Sequence, residues 1–304
     1  MIKLLRRQEI NTVLWDQCVE RSPEGRLFNY SWYLDACCPD WMALVEGMYE
    51  TVFPFTTRTK IGISYLYQPF FVRHFAVMSR TPTTATDRLR MLQELPDTIM
   101  YHDFNLGSHH REVPDTFKAE ERIYQTLSLR GDYESIREGY SENVKRNIRK
   151  ATKKQLTTAT DYTPAKIVAH IRKHVGDKLE KFSPEDFDRL QRLMETAEVS
   201  CETWCLGVKD SSGQEHAGAF FMRKGNIVLY LKGFTSPEGK ESGAMHFLFD
   251  NLIRQLAGRD AVLDFGGSSV KSVARFYHQF GSIDNVYLHI RMNRLPRPLR
   301  WLKH

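Results

Sequence analysis

Residues 203–245 read TWCLGVKDSSGQEHAGAFFMRKGNIVLYLKGFTSPEGKESGAM, and this stretch decides the fold class. β-Rich runs at Thr203 to Val208, Gly218 to Met222 and Ile227 to Phe234 are separated by Ser211-Ser212-Gly213 and by Lys224-Gly225-Asn226. Both separators carry hairpin-turn chemistry, since glycine supplies the positive φ that tight hairpins need. Three consecutive antiparallel strands follow. Ser236 to Gly243 then reads as a glycine-bearing loop, followed by an amphipathic helix through about Leu256. A loop that enters a helix this way points backbone N–H groups outward at the positive end of the helix dipole, a geometry that suits phosphate. Lys240 would add charge, while Ser242, Gly243 and Ala244 are small enough to let a pyrophosphate approach the backbone. An ordinary strand-to-helix turn has the same sequence signature.

Downstream, the pattern gives a strand at Ala261 to Phe265, a helix around Val273 to Phe280 and a strand at Asn285 to Met292. Upstream, Thr163-Pro164 and Ser183-Pro184 each place a capping hydroxyl before proline, with Asp186 three residues after Ser183. Before them stand a strand at about Leu156 to Thr160 and one long helical pattern from Asp132 to Lys154. Its apolar stripe is Ile136, Tyr140, Val144, Ile148 and Ala151. Lys145, Arg146, Arg149, Lys150, Lys153 and Lys154 put six cations into ten residues with no acid among them. A solvated connecting helix accounts for part of this charge, because cations near a helix C-terminus complement its dipole. An anionic partner is the alternative reading, because dipole complementarity needs only one or two cations near the helix end, and Lys145, Arg146, Arg149 and Lys150 are then the candidate ligands.

The first half repeats part of this grammar. Ile63 to Phe71 reads as a strand, Asp87 to Leu95 as a helix and Thr98 to Phe104 as a strand that ends Asp103-Phe104-Asn105-Leu106-Gly107-Ser108. The later strand ends Asp264-Phe265-Gly266-Gly267-Ser268. The expected architecture is α+β, with two similar domains at residues 1–131 and 155–304 joined by the basic helix at 132–154. The aromatic cluster Phe28 to Tyr33, with Trp41, belongs to the N-terminal core.

With 304 residues, 41% of them hydrophobic and 26% charged, the chain can bury a sizeable core, and global disorder is excluded. Its apolar runs fall far short of the roughly 20 residues of a membrane helix. The first ten residues carry Arg6, Arg7 and Glu9 and lack a signal-peptide core, so a cytoplasmic location is expected. Five cysteines, an odd number and sparsely placed, are expected to be reduced thiols. Cys201 and Cys205 lack a nearby His or second cysteine pair, so no metal is expected.

The order strand, basic glycine loop, helix, strand, then Ala274-Arg275-Phe276-Tyr277-His278-Gln279-Phe280-Gly281 resembles the GNAT acyl-CoA N-acyltransferase superfamily. Tyr140 to Lys154, Leu263 to Ser268 and Val273 to Gly281 extend the resemblance over nearly the whole chain, to the two-domain FemAB-like and BioF2-like branch. The resemblance implies tandem GNAT-like domains, each a mixed, mostly antiparallel sheet flanked by helices. It also implies an acyl-CoA co-substrate held by Lys240, Glu241, Ser242, Gly243, Ala244 and Met245. Lys240 stands where the family has Arg or Gln, and Met245 where it usually has Gly or Ala. Tyr277 matches the family tyrosine that protonates the departing thiolate. A phenol with a pKa of about 10 remains protonated at neutral pH and suits that role.

Asp264, at the end of its strand beside Gly266-Gly267, is the carboxylate placed to bind or deprotonate an acceptor amine; a turn-capping aspartate has the same signature. Acyl transfer to an amine proceeds by direct attack, and the sequence holds no Gly-x-Ser-x-Gly elbow. The expected activity is therefore acyl transfer from acyl-CoA to an amine on a small-molecule or nucleotide-linked acceptor. Since FemAB enzymes take an aminoacyl group from tRNA and add it to a peptidoglycan precursor, tRNA is the alternative donor. A non-catalytic binding protein on the same scaffold is the third possibility.

Overall fold

The computed structural model describes residues 1–107, 109, 112–175, 182–267 and 271–296. Ser108 and Ser268, quoted above at the ends of the two similar strands, lie outside the described residues. Chain contacts divide the molecule into two compact units, Met1–Ile123 with Val286–His304, and Tyr124–Asn285. The division differs from the sequence expectation: it falls at residues 123/124 instead of 131/132, and the basic helix belongs to the second unit instead of lying between two domains.

The first unit opens with β1 (Ile2–Arg6), α1 (Thr12–Arg21) and α2 (Ser31–Cys37), followed by β2 (Met42–Glu46) and β3 (Thr51–Phe55). Asn11 starts α1 by accepting a hydrogen bond from the Leu14 amide at 3.2 Å. The aromatic cluster forms a core here, with Trp15 and Trp41 fully buried and their ring centroids 4.7 Å apart. β4 (Thr57–Lys60) and β5 (Ile63–Tyr67) form a hairpin. The short β6 (Met78–Ser79) adds to β3, giving the sheet order β1-β2-β3-β6. Next, α3 (Ala85–Gln93) is capped at Thr84 by Asp87, and β7 (Ile99–Leu106) returns parallel to β5.

β8 (Lys118–Ser128) carries the chain into the second unit. There α4 (Tyr133–Glu138) and α5 (Glu142–Lys153) replace the single long helix read from the pattern. The break falls at Gly139-Tyr140-Ser141, where the Ser141 hydroxyl accepts from the Val144 amide at 3.4 Å and starts a new helix. The apolar stripe is retained across the break: Tyr140, Val144 and Ala151 are buried, and Ile136 and Ile148 pack on the same core. β9 (Thr157–Ala159), α6 (Pro164–Val175) and α7 (Pro184–Ser200) follow, the last two starting at the proline caps. The Thr163 hydroxyl accepts from the Lys166 amide at 3.3 Å, and Asp186 accepts from the Ser183 amide at 2.9 Å.

β10 (Glu202–Lys209), β11 (Glu215–Lys224) and β12 (Ile227–Thr235) are the three antiparallel strands, turning at Gly213 and Gly225 with φ of 84° and 64°. After α8 (Pro237–Ser242) and α9 (Ala244–Leu256), β13 (Val262–Gly267) lies parallel to β12 and antiparallel to β8. The sheet of this unit runs β8-β13-β12-β11-β10-β9. Leu248, Leu252, Ile253 and Leu256 of α9 are fully buried in its core. Burial of each contributes about 1.5–3 kcal/mol. After α10 (Lys271–His278), β14 (Ile283–Asn293) returns to the first unit and pairs with β7, Met292 opposite His102. Both units thus contain a hairpin, a helical crossover to a parallel strand and then an antiparallel neighbour. The architecture is α+β, with sheets flanked by helices.

Candidate active site

A cleft forms in the second unit where β12 and β13 part. The two strands pair over only three positions, Ile227 to Leu229 against Val262 to Asp264. β12 is also irregular at this point: Phe221 pairs with Tyr230 and Phe220 with Lys232, so Leu231 is an extra residue in the strand. Such a bulge bends its strand and re-aims the neighbouring side chains. Gly233 permits a close approach further along, since a Cβ there would lie 2.5 Å from the Gly218 carbonyl oxygen and 2.9 Å from the Tyr230 hydroxyl.

The resulting cleft has a volume of about 360 Å³. Tyr230, Phe234 and Thr235 of β12 line one wall, Met245, His246 and Phe249 of α9 a second, and Val273, Phe276 and Tyr277 of α10 a third. The Tyr277 ring stacks on Phe265 at 5.0 Å and meets Tyr230 edge-on at 6.4 Å. α9 forms its first backward hydrogen bond from the Phe247 amide to the Gly243 carbonyl at 3.1 Å. The N–H groups of Ala244, Met245 and His246 precede it, at the positive end of the helix dipole.

Lys240, Gly243, Met245 and Tyr277 of the expected site residues meet at this cleft. The segment around Lys240 is not the loop expected from sequence. Pro237–Ser242 is a helical turn whose cap, Ser236, accepts from the Gly239 amide at 3.0 Å, and Gly243 in left-handed conformation (φ 77°) ends it. The serine-proline start and glycine stop that read as loop chemistry are the two ends of α8. Glu241 is exposed away from the lining, Ser242 is fully buried, and Ala244 lies in the core.

Asp264 is buried, and its carboxylate accepts from the Gly266 amide at 2.9 Å. It is not among the residues lining the cleft, and the bond to Gly266 is one that a turn-capping aspartate makes. The α5 cations also lie off the lining: Arg146, Arg149 and Lys150 are exposed, and Lys145 is half-buried. Two of the four have a carboxylate within reach despite the absence of acid within the run. Glu142, one turn earlier, stands 3.4 Å from Lys145 and 3.8 Å from Arg149, and Arg146 donates to Asn143 at 2.6 Å.

Tyr230, His174 and His246 belong to the lining but were not singled out from sequence. Burial pushes the His246 pKa down to about 4, against a hydrogen bond donated to the Gln279 side chain that raises it. Its imidazole is therefore neutral at physiological pH. Burial raises the pKa of the Tyr230 phenol, keeping it protonated. The sequence carried a signal for this wall: a glycine inside a β-rich run marks close approach, and Met245 and His246 precede Phe249 on one helix face.

No family model matches the chain, and no curated protein matches it in sequence. Solved structures match across its length. FemX aligns over 99% of both chains with a TM-score of 0.66 and 14% identity. The fold is similar to that of FemX. A conserved protein of unknown function from Bacteroides thetaiotaomicron VPI-5482 aligns over 96% of this chain and 99% of its own, with a TM-score of 0.62 and 9% identity. The C-terminal domain of a putative lysylphosphatidylglycerol synthetase from Agrobacterium fabrum aligns over 91% and 92%, with a TM-score of 0.54 and 9% identity. The coverage and TM-scores show a FemX-like fold. Among the described residues, no helix is long and apolar enough to cross a membrane.

Proposed function

We propose that this protein is an acyltransferase that moves an acyl group from acyl-CoA to an amine, with the donor held in the second-unit cleft. The observation that carries this reading is the meeting of Tyr277, Lys240 and the α9 N-terminus on one cleft. Lys240 and the leading N–H groups of α9 would receive the pyrophosphate, and the apolar walls the pantetheine arm. The neutral amine attacks the thioester carbonyl, the C–S bond breaks, and the Tyr277 hydroxyl gives its proton to the departing thiolate. The proton lost by the attacking nitrogen returns to the phenolate through solvent, so Tyr277 ends as it began. The exposed cations Arg146, Arg149 and Lys150, with Lys145, would hold an anionic acceptor, either a small molecule or a nucleotide-linked one.

The fit to coenzyme A has one departure: Met245 presents a long side chain to the cleft where the resembled family has Gly or Ala. A second reading, aminoacyl transfer from charged tRNA, draws support from the full-length fold match to FemX and from the match to a lysylphosphatidylglycerol synthetase. In that case the α5 cations would contact tRNA phosphates. Titration with coenzyme A separates the two. The acyl-CoA reading expects binding that weakens in Lys240→Glu, and no detectable affinity at millimolar coenzyme A would sink it. The tRNA reading expects affinity for charged tRNA that falls steeply with salt through counterion release. Turnover with any acyl donor, lost in Tyr277→Phe while binding is kept, excludes a non-catalytic scaffold.

A further inference from the structure

His216 lies outside the cleft lining, on β11, yet three features of α8 converge on it. The β10–β11 ladder shifts between Val208 and Lys209, which face Ala217 and Glu215, so His216 is the extra residue of a bulge. Its carbonyl oxygen accepts from the Ser236 amide at 2.9 Å, where α8 begins. Gly239 rests against the same carbonyl so closely that a Cβ would lie 1.9 Å from its oxygen. The buried imidazole spans the remaining distance, with Nε2 3.1 Å from Asp210 Oδ2 and Nδ1 3.4 Å from Ser242 Oγ.

Asp210 is itself fixed. It accepts from the Ser212 hydroxyl at 2.7 Å and from the amides of Ser212 and Gln214 at 2.9 and 3.0 Å. The Ser212 hydroxyl, then His216, hold its carboxyl well below the usual carboxylate range. The ionised carboxylate accepts a hydrogen bond from Nε2–H, and the Nδ1 side meets the Ser242 oxygen, whose own hydrogen goes to the Gly239 carbonyl at 3.2 Å. The order Asp-His-Ser is that of a hydrolase relay. Ser242 is fully buried and off the cleft lining, however, so no acyl group reaches its oxygen. The relay acts on position.

We propose that His216 is a positioning residue of the donor site: with Asp210 and Ser242 it fixes α8, and so sets Lys240 against the pyrophosphate of a coenzyme A donor. The proposal rests on the acyl-CoA reading above. The test compares the parent with His216→Phe, Ser242→Ala and the double variant, using hydrogen exchange and the affinities for coenzyme A and for pantetheine, which lacks the pyrophosphate. Exchange of the Lys240 and Gly243 amides should quicken in both single variants while the β11 amides keep their protection. Coenzyme A should bind about fivefold more weakly, the scale of one lost hydrogen bond. Pantetheine affinity should stay within twofold, and the double variant should be no worse than the poorer single one. A purely structural defect would move both ligands together or neither, and either outcome overturns the proposal. Unchanged exchange overturns it whatever the donor is. A parent that binds neither ligand overturns the donor reading instead, and the exchange data alone then decide whether His216 fixes α8.

Discussion

Gly243→Ala separates two costs that the structure places at one residue. Gly243 has φ 77°, a left-handed conformation that costs a residue with a Cβ about 1–2 kcal/mol. Here the added Cβ would also lie 2.6 Å from the Asn147 carbonyl oxygen and 3.0 Å from the Asn147 Cβ. Backbone cannot swing aside as a side chain can, so α9 must move off α5, an overpacking strain of about 1–3 kcal/mol. The sum is about 2–5 kcal/mol. Gly225 supplies the control, because its φ is 64° and its added Cβ would meet nothing within 4 Å. Gly225→Ala should therefore cost only the conformational part, about 1–2 kcal/mol. Urea unfolding of the parent and both variants, with slopes confirmed equal, gives the two losses from their midpoints. The Gly243 variant should also lose affinity for coenzyme A, since its N-terminal amides and Met245 move with α9. Equal destabilisation by the two substitutions would refute the close-approach argument.

Tyr277→Phe should lower the turnover number about 10²-fold or more with little change in coenzyme A affinity, as loss of a general acid does; equal turnover would remove Tyr277 from the chemistry. Arg149→Ala should raise the KM of an amine acceptor found by turnover screening, leave coenzyme A affinity within twofold and cost only a few tenths of a kcal/mol in stability. Identical acceptor kinetics would return α5 to a solvated helix. His102, 1% exposed, has its pKa pushed down to about 4 by burial. The unfolded chain then binds the extra proton between about pH 4 and 6.5. His102 thus contributes about 3 kcal/mol that is fully present above pH 6.5 and lost as pH falls toward 4. His102→Gln should flatten that part of a stability-against-pH curve, and an unchanged slope would contradict the assignment.

The sequence made the local features of the second unit legible because turn and cap chemistry are local. Gly213 and Gly225 occupy the hairpin turns they marked, and Thr163 and Ser183 start the helices they announced. The stripe from Ile136 to Ala151 identified a packed face but not the break beneath it, since Ser141 can serve equally as helix interior or cap until Val144 bonds back to it. Ser236 to Gly243 holds serine, proline and glycine, which spell a loop or two helix ends, and the choice was made by packing against His216 and Asn147. Asp264 was read as candidate machinery because a carboxylate at a strand end fits both roles, and its bond to Gly266 is one residue too local to be distinguished in sequence. Tyr230 and His246 were missed because only the parting of β12 from β13 exposes them to a common space.

The return of β14 to the first unit has a consequence for synthesis. β7 pairs with β14 through Tyr101 opposite Asn293 and Leu106 opposite Leu288. The first unit therefore owns a strand that leaves the ribosome only after all of Tyr124–Asn285. At about 5–20 residues per second the delay is roughly 10–30 s, during which β7 presents an unpaired edge of backbone donors and acceptors. The second unit, continuous in sequence, has no such wait. Order of emergence and order of completion are thus reversed along this chain: the half translated first is the half that must be sheltered longest.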